Sequence, residues 1–343
     1  MKKIILYSFL FTYIFLNLNI IQCRENPQFK IVNYNINAKY KSEINTISVD
    51  AKLLINNGSD DKYYNFLIKY KIKLKIIKAI QNNTEIPLEY LYSDNDTIKI
   101  KMSDNFRDYT YSNIEFVYDI PLDSKIDTSM IFFQWYPFIT DNISGWKLNF
   151  ETANEYFVFS PAIYSQDNFL NKQQGFRFAD DIFLRNLPLI ITKKNLYTVR
   201  PLETKGIKFS YYFYSGDTSV QNKIIFEISE SFKYFNQSIG KYKYNQLNFV
   251  EVPDNYVNSQ PSLIMIGSIY IKYFDRGLNG WCPHEIAHQW FGSGAFADYG
   301  KKGNSCVFEP LAEYLKLMFL NYNSVMNIFR KNYKISNPNT IQL

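Results

Sequence analysis

Apolar and polar residues alternate through much of the chain between about residue 30 and residue 205. The apolar positions of this pattern include Ile47, Val49, Ala51, Leu53, Ile55, Ile98, Ile100, Met102, Ile114, Phe116, Tyr118 and Ile120. Successive side chains of a β-strand point to opposite faces of the sheet, so a period of two indicates strands with one buried face. Asn-, Asp- and Gly-rich segments between the runs are typical of turns. This part is therefore predicted to be an antiparallel β saddle or sandwich of many short strands.

The segment IKYKIKLKIIK, residues 68–78, places lysines between apolar residues. A strand with one solvated face explains this pattern. The chain has 38 Lys and Arg against 32 Asp and Glu, a formal net charge of +6. Because this excess is small and diffuse, nucleic acid is not expected as a partner.

The pattern changes near Leu202–Gly206. After one more strand, residues 218–239 have apolar residues at helical spacing, and two apolar strands follow within 246–271. Two further helices are predicted around 283–292 and 308–321. The fold class is therefore predicted to be α+β with two domains, a β-rich domain at 24–205 and a mixed α/β domain at 206–343.

Residues 1–23 begin with two lysines followed by an apolar stretch, which is typical of a signal peptide. The chain is therefore expected to be exported, to a periplasmic, cell-surface or secreted location. Membrane attachment through the N-terminus is the alternative, either as an uncleaved anchor or by lipidation at Cys23. In an oxidising compartment Cys282 and Cys306 could form a disulfide, and two buried free thiols are the other interpretation.

The segment GWCPHEIAHQWFG, residues 280–292, contains both histidines of the chain, His284 and His288. On a helix, residues four apart lie on one face, so the two imidazoles can bind one metal ion. Glu285 lies to the side of that face, where it can accept a proton from a metal-activated water. The pattern predicts one catalytic Zn²⁺ per chain, with Glu285 as the general base and Gly292 as the C-terminal stop of the helix.

A catalytic zinc needs a third protein ligand, and Asp298, Glu309 and Glu313 follow the histidines in the sequence. Glu309 and Glu313 are four residues apart on a predicted helix, so they share a face. We assign Glu309 to the metal. Glu313 is assigned to accept the distal N–H of a ligating histidine, which fixes the orientation of the ring. Pro310 is expected near the start of that helix.

These motifs resemble those of the alanyl-aminopeptidase family of gluzincin zinc metallopeptidases. HEIAHQWFG is similar to the zinc helix of that family, and EPLAEY, residues 309–314, resembles its third-ligand helix. FNQSIGKYKYNQLNFVEVPD, residues 235–254, is similar to the elements just upstream of the zinc helix. FFQWYP, residues 132–137, resembles part of the N-terminal saddle domain. The resemblance implies a thermolysin-like catalytic domain, C-terminally truncated in this chain, that hydrolyses peptide or protein substrates.

The family places a glutamate that holds the substrate's amino terminus on the strand before the zinc helix, and here Ser259 stands at that position. Asn258, Ser259 and Gln260 are the predicted substrate-binding residues, because an extended peptide can pair with such a strand. The family's oxyanion-stabilising tyrosine has no clear counterpart, and Tyr333 is a remote candidate.

Three functions therefore remain open. The first is an active zinc metallopeptidase, a hydrolase that acts like an aminopeptidase. The second is a zinc-binding relative that binds peptides with little or no turnover. The third is a cell-surface interaction module formed by the β-rich domain. The pattern does not predict the oligomeric state.

Overall fold

The computed structural model describes residues 30–56, 63–93, 97–102, 111–139, 142, 144–161, 164–168, 173–178, 183–184, 186–204, 206–214, 216–253, 255–276, 280–292 and 305–332. The predictions for residues 1–23, Asp298 and Tyr333 lie outside these residues. Among the helices that are described, none is both long enough and apolar enough to cross a membrane.

The strands are β1 (Lys30–Lys41), β2 (Thr46–Asn56), β3 (Tyr63–Leu67), β4 (Lys73–Gln81), β5 (Thr84–Ile86), β6 (Leu88–Ser93), β7 (Thr97–Met102), β8 (Tyr111–Pro121), β9 (Ser129–Phe132), β10 (Ser144–Ala153), β11 (Tyr156–Phe159), β12 (Tyr164–Asn168), β13 (Gln173–Phe178), β14 (Phe183–Leu184), β15 (Leu189–Lys193), β16 (Tyr197–Thr204), β17 (Ile207–Tyr214), β18 (Gln246–Val252), β19 (Val257–Gln260) and β20 (Leu263–Gly267). The α-helices are α1 (Thr218–Ser238), α2 (Ser268–Lys272), α3 (Trp281–His288) and α4 (Ser305–Asn332), and short 3₁₀ helices lie at Lys194–Leu196 and Phe274–Arg276.

The largest sheet has the strand order β12-β13-β10-β1-β2-β8-β4-β5, and β14 also pairs with β10. The predicted alternation is confirmed in its central strands. The inward residues of β2, from Ile47 to Ile55, are at most 2% exposed, and those of β8, from Ile114 to Ile120, are fully buried. The outward face carries ion pairs such as Lys39–Glu151. One buried and one solvated face therefore give this sheet its period of two.

Two features of this sheet differ from the sequence prediction. The prediction that all strands of this part pair antiparallel is wrong for β1 and β10, which pair in parallel. The alternation is the same for both pairings when one face is solvated, so it could not distinguish them. The strand predicted at 68–78 begins only at Lys73, and its ladder with β8 has a bulge between Leu74 and Ile76. A bulge inserts one residue and reverses the alternation, which leaves Ile76 49% exposed.

The FFQWYP segment packs between the sheets of the β-rich part. Trp135 and Tyr136 are at most 1% exposed. The Trp135 indole N–H donates to the Leu187 carbonyl (2.9 Å), and its own carbonyl accepts from the Tyr118 hydroxyl (3.0 Å). The Tyr136 hydroxyl accepts from the Leu187 N–H (3.1 Å). The buried polar atoms of these aromatic residues are thus paired, and they tie β8 to the chain that enters β15.

A five-stranded mixed sheet of order β16-β17-β18-β20-β19 follows. Tyr212 and Val250 on one of its faces pack with Phe159 and Ile190 of the small β11-β15-β9 sheet. The other face is covered by α1 and α3, and Asp217 caps α1 by accepting a hydrogen bond from the Ser219 N–H (2.7 Å). Because both faces are buried, the central strands are continuously apolar, as in the LIMI run of β20.

The predicted elements of this part are largely present, with shifted ends. The helix predicted at 218–239 corresponds to α1. The second apolar strand ends at Gly267, where α2 begins. β16 pairs with β17 across the predicted domain boundary at 205/206, and the division into two domains stays a prediction.

Candidate metal centre

Helix α3 carries both histidines. It begins at Trp281, so Pro283 lies in the first turn, where backbone N–H groups lack helical acceptors and a proline costs little. His284 and His288 lie one turn apart on one face, whereas Ile286 and Ala287 on the other face are fully buried. Burial of the apolar face fixes the direction in which the two imidazoles point.

The donor atoms of His284, His288 and Glu309 converge. The two Nε2 atoms are 3.1 Å apart. Glu309 Oε2 is 3.3 Å from His284 Nε2, and Glu309 Oε1 is 3.4 Å from His288 Nε2. Ligands bound tetrahedrally to zinc at about 2.0–2.1 Å would lie roughly 3.3 Å apart, so the three side chains fit one such ion.

The other nitrogen of each ring has its own partner. His284 Nδ1 is 3.2 Å from Glu313 Oε2, and His288 Nδ1 is 3.0 Å from the Phe291 carbonyl. Both partners are acceptors, so each Nδ1 can donate a proton to its partner, and in that tautomer each Nε2 presents a lone pair to a metal ion. Two lone pairs facing each other at 3.1 Å repel unless a cation lies between them. Burial lowers the pKa of His288 and favours the neutral ring that a metal requires.

The turn after α3 is built closely around His288. The helix ends at His288, four residues before Gly292, which was predicted as its C-terminal stop. Gly292 has φ +102°, a conformation that favours glycine. A Cβ at Gly292 would also approach His288 Nδ1 to 3.3 Å. Glycine at this position therefore leaves room for the ring and for its hydrogen bond to the Phe291 carbonyl.

Glu285 is 7% exposed. Burial, and next the negative charge of Glu309, raises the pKa of its carboxyl to about 8. A carboxyl group with a pKa close to neutrality is suited to proton transfer. Cys282, on the same helix, is a buried free thiol, and the side chain of Cys306 lies outside the described residues.

Glu309 and Glu313 are both on α4, one turn apart. Lys316 pairs with Glu313 and is the main cause that lowers the pKa of this carboxyl, which keeps it ionised as an acceptor for His284. Helix α4 begins at Ser305, earlier than predicted, so Pro310 lies inside the helix and not at its start. Pro310 has no backbone N–H, so one hydrogen bond of the helix is absent at the residue directly after Glu309.

Asn258, Ser259 and Gln260 form most of β19, the strand at one edge of the five-stranded sheet. The Ser259 hydroxyl points towards α3 and donates to the Glu285 carbonyl (3.1 Å). The side chains of Asn258 and Gln260 bond to each other at 2.9 Å. In the described part of the sheet, no strand pairs with the outer side of β19.

No protein-family model matches the sequence, and no curated protein matches it. Solved structures that are similar include three of the M1 zinc metallopeptidase of Deinococcus radiodurans: a point mutant, the protein itself, and the mutant with a Tyr-Ser-Ala substrate bound. Each has a TM-score of 0.59 and 10% identity; they cover 86%, 86% and 90% of this chain, and 72%, 71% and 76% of theirs. The chain shares their fold. Such an identity shows the fold alone, so the chemistry rests on the geometry of the site.

Several groups around the metal centre were not predicted from the sequence. The acceptor for His288 is the backbone carbonyl of Phe291, and every residue type has such a carbonyl, so the sequence does not reveal it. Lys316 is three residues after Glu313, a spacing at which helical side chains pair, and this signal could have been found. Gln289 follows His288 directly and is 1% exposed, but a glutamine at that point matches no metal-ligand pattern.

Proposed function

We propose that the chain is a zinc-dependent metallopeptidase that hydrolyses peptide bonds, with His284, His288 and Glu309 as the metal ligands. The observation that carries this proposal is the convergence of the two Nε2 atoms beside the Glu309 carboxylate, with the Nδ1 atom of each ring next to a separate acceptor. The fold shared with zinc metallopeptidases supports it.

Zinc bound there would activate a water molecule and polarise a carbonyl group as a Lewis acid. The residues of the chain supply the rest. Glu285 is assigned as the general base, which accepts a proton during attack and returns it to the leaving amine. Glu313 holds His284 in the tautomer that leaves Nε2 free of a proton, and the Phe291 carbonyl does the same for His288.

The substrate is proposed to be a peptide or protein segment bound in an extended form along β19. An edge strand can hydrogen-bond an added strand, which positions a peptide without requiring a particular side chain. β19 lies against α3, so a peptide paired with residues 258–260 would run past the metal ligands. Zinc peptidases with this fold include one with a bound Tyr-Ser-Ala substrate.

A second candidate is a protein of the same fold that binds zinc and peptides without turnover. One observation favours it. Ser259, which stands where the resemblance places an amine-binding carboxylate, has no charge, and its hydroxyl is bonded to the Glu285 carbonyl. The substrate's amino terminus would therefore find no anchor at this residue.

One experiment separates the two candidates. Purified protein is dialysed, its zinc content is measured, and hydrolysis of a peptide library is followed with and without a chelator. We expect about one zinc per chain and chelator-sensitive hydrolysis, which Glu285→Gln abolishes while zinc stays bound. Glu227→Gln, which changes a half-buried carboxylate outside the metal centre, is the control and retains activity. Zinc and peptide binding without hydrolysis would favour the second candidate, and hydrolysis by Glu285→Gln would contradict the role of this residue.

We further propose that residues 1–23 direct export and that residues 24–205 and 206–343 form two domains. Mass spectrometry of the protein recovered outside the cytoplasm tests the first proposal. A mature chain that begins near Cys23 is expected, and a lipid on Cys23 would identify the anchored alternative. Limited proteolysis that yields fragments divided near residue 205 would support the second.

A further inference from the structure

Gln289 lies directly after α3, and its side-chain amide is saturated with hydrogen bonds. Nε2 donates to Ser259 Oγ (2.6 Å) and to the Gln260 carbonyl (2.9 Å). Oε1 accepts from the Ser262 N–H (3.0 Å) and from the Tyr242 hydroxyl (3.1 Å), whose single proton is shared with the Gln246 carbonyl (3.2 Å). An amide can donate two hydrogen bonds and accept two, so its capacity is used completely. Because the Gln260 carbonyl can only accept and the Ser262 N–H can only donate, these two partners identify which atom of the amide is Nε2 and which is Oε1.

The amide bridges the tight turn that joins β19 to β20. Gln260 pairs with Leu263, so only Pro261 and Ser262 form the turn. Ser262 has φ +60°, a conformation that glycine and asparagine adopt more easily than serine. The Gln289 amide contacts the carbonyl before this turn and the N–H within it. It therefore holds the turn from outside, on the side of α3.

A second connection runs from the amide to Glu285. The Gln289 N–H bonds to the Ile286 carbonyl (3.0 Å), and Glu285 belongs to the last turn of α3, where carbonyls lack regular helical partners. The Ser259 hydroxyl donates to this Glu285 carbonyl (3.1 Å) while accepting from Gln289 Nε2. The amide, the Ser259 hydroxyl and the peptide group of Glu285 thus form one chain of hydrogen bonds.

We propose that Gln289 is a positioning residue: it fixes the distance and register between the edge strand β19 and the helix that carries His284, Glu285 and His288. Its place in the fold supports this, since it follows the last histidine and reaches both ends of the segment 259–262. The proposal rests on the proposed function, because it assigns β19 as the edge on which an extended peptide is held against the metal centre.

The test compares Gln289→Met, which keeps the length of the side chain and removes its polar atoms, with Gln221→Met. Gln221 is a buried glutamine on α1, 4% exposed, outside the junction of α3 with β19. Both changes are made in the zinc-loaded Glu285→Gln variant, so that peptides bind without being cleaved. Two affinities are measured for each protein, one for an extended hexapeptide and one for acetohydroxamate, a small ligand that needs only the metal.

Gln289→Met is expected to weaken hexapeptide binding about tenfold or more, equivalent to about 1.4 kcal/mol, and to change acetohydroxamate and zinc affinities less than about twofold. Gln221→Met is expected to leave the ratio of the two affinities unchanged. An equal loss for both ligands in Gln289→Met would indicate a merely structural role and overturn the proposal. Unchanged hexapeptide binding would also overturn it.

Amide hydrogen exchange of residues 257–263 in the zinc-loaded protein gives a readout that needs neither peptide binding nor catalysis. Faster exchange of this segment in Gln289→Met than in Gln221→Met is expected, since the amide holds the segment. Equal exchange would mean that Gln289 does not hold β19, whether or not the chain is a peptidase. Absence of zinc and hexapeptide binding together with faster exchange would instead refute the proposed function and leave Gln289 as the residue that holds this edge.

Discussion

The central strands β1, β2 and β8 and the junction of α3 with β19 are both buried, but they are buried with different chemistry. The strands bury aliphatic and aromatic side chains, such as Ile47, Leu53 and Phe116, and keep their charges on the solvated face. The junction buries Glu285 and Gln289, and the amide of Gln289 has a separate partner for each of its hydrogen-bonding positions.

This difference determines what each region tolerates. Dispersion and hydrophobic burial are not directional, so a core of this kind accepts changes that preserve volume. Buried polar groups cost free energy when a partner is removed, so each one at the junction constrains its neighbours. The β-rich region is therefore expected to control the stability of the chain, and the junction to control metal and peptide binding. Four predictions test this difference between the two regions.

The largest effect is expected for His288→Ala. This change removes one of the three proposed metal ligands, so the zinc content after dialysis should fall from about one per chain to near zero. The wild-type protein should melt at a higher temperature when zinc is added, because zinc binds only the folded state, and this shift should vanish in the variant. Elemental analysis and thermal unfolding check both results. Retention of stoichiometric zinc by His288→Ala would contradict the assigned ligand set.

Phe116→Ala should instead lower the stability of the fold and leave zinc binding unchanged. Phe116 is fully buried in β8 and contacts Phe66, so its truncation leaves a cavity and should cost about 3–5 kcal/mol of unfolding free energy. Zinc affinity of the folded fraction should stay the same. Urea unfolding and zinc titration measure the two quantities, with Phe226→Ala as the control, because Phe226 is 61% exposed. A large loss of zinc affinity in Phe116→Ala would show that the two regions are coupled.

Much of the β-rich region could be predicted because its signal is local. In β2 the face of each residue follows from its neighbours, and the predicted inward positions are the buried ones. The parallel partner of β1 lies more than a hundred residues later in β10, and nothing in either strand identifies it. The bulge in β4 was missed because Lys73, Leu74, Lys75 and Ile76 still alternate across it, and the alternation breaks only afterwards, where Ile76 and Ile77 are adjacent.

The residues around the candidate metal centre also include some that the sequence could predict and some that it could not. His284 and His288 could be paired from their spacing, since four residues on a helix bring side chains to one face. Glu309 lies outside the helix of the histidines, so helical spacing does not relate their positions, and the structure supplies the contact that the sequence could only suggest. Gln289 was missed because its four partners lie in two distant segments, three of them within 259–262 and the fourth at Tyr242, and no sequence pattern links these segments to residue 289.

Glu313→Ala tests the hydrogen bond that orients His284. Removal of an acceptor behind a metal-bound histidine typically lowers metal affinity about 10–100-fold, which is the loss expected here. Competition with a fluorescent chelator measures it. Glu230→Ala is the control, because Glu230 also pairs with a lysine three residues along its helix, Lys233, but contacts no histidine. Equal zinc affinities of the two variants would mean that the contact with Glu313 does not support the metal centre.

The smallest effect is expected at Glu115, which pairs with Lys52 (3.0 Å) and Lys78 (2.7 Å) on the solvated face of the large sheet. Burial acts to raise the pKa of Glu115, but its hydrogen bonds and charge pairs with the two lysines outweigh burial and leave the pKa lowered. A lowered pKa in the folded state adds stability above the unfolded pKa of about 4.3, and this stability is lost as the pH falls through the folded value.

Glu115→Gln should therefore cost about 1 kcal/mol or less of unfolding free energy at pH about 7 and still less at pH about 3.5. Urea unfolding at both pH values checks this, with Glu89→Gln at the exposed Lys101 pair as the control, for which no comparable loss is expected. A pH-independent cost of Glu115→Gln would mean that packing and not charge accounts for the contribution of this residue.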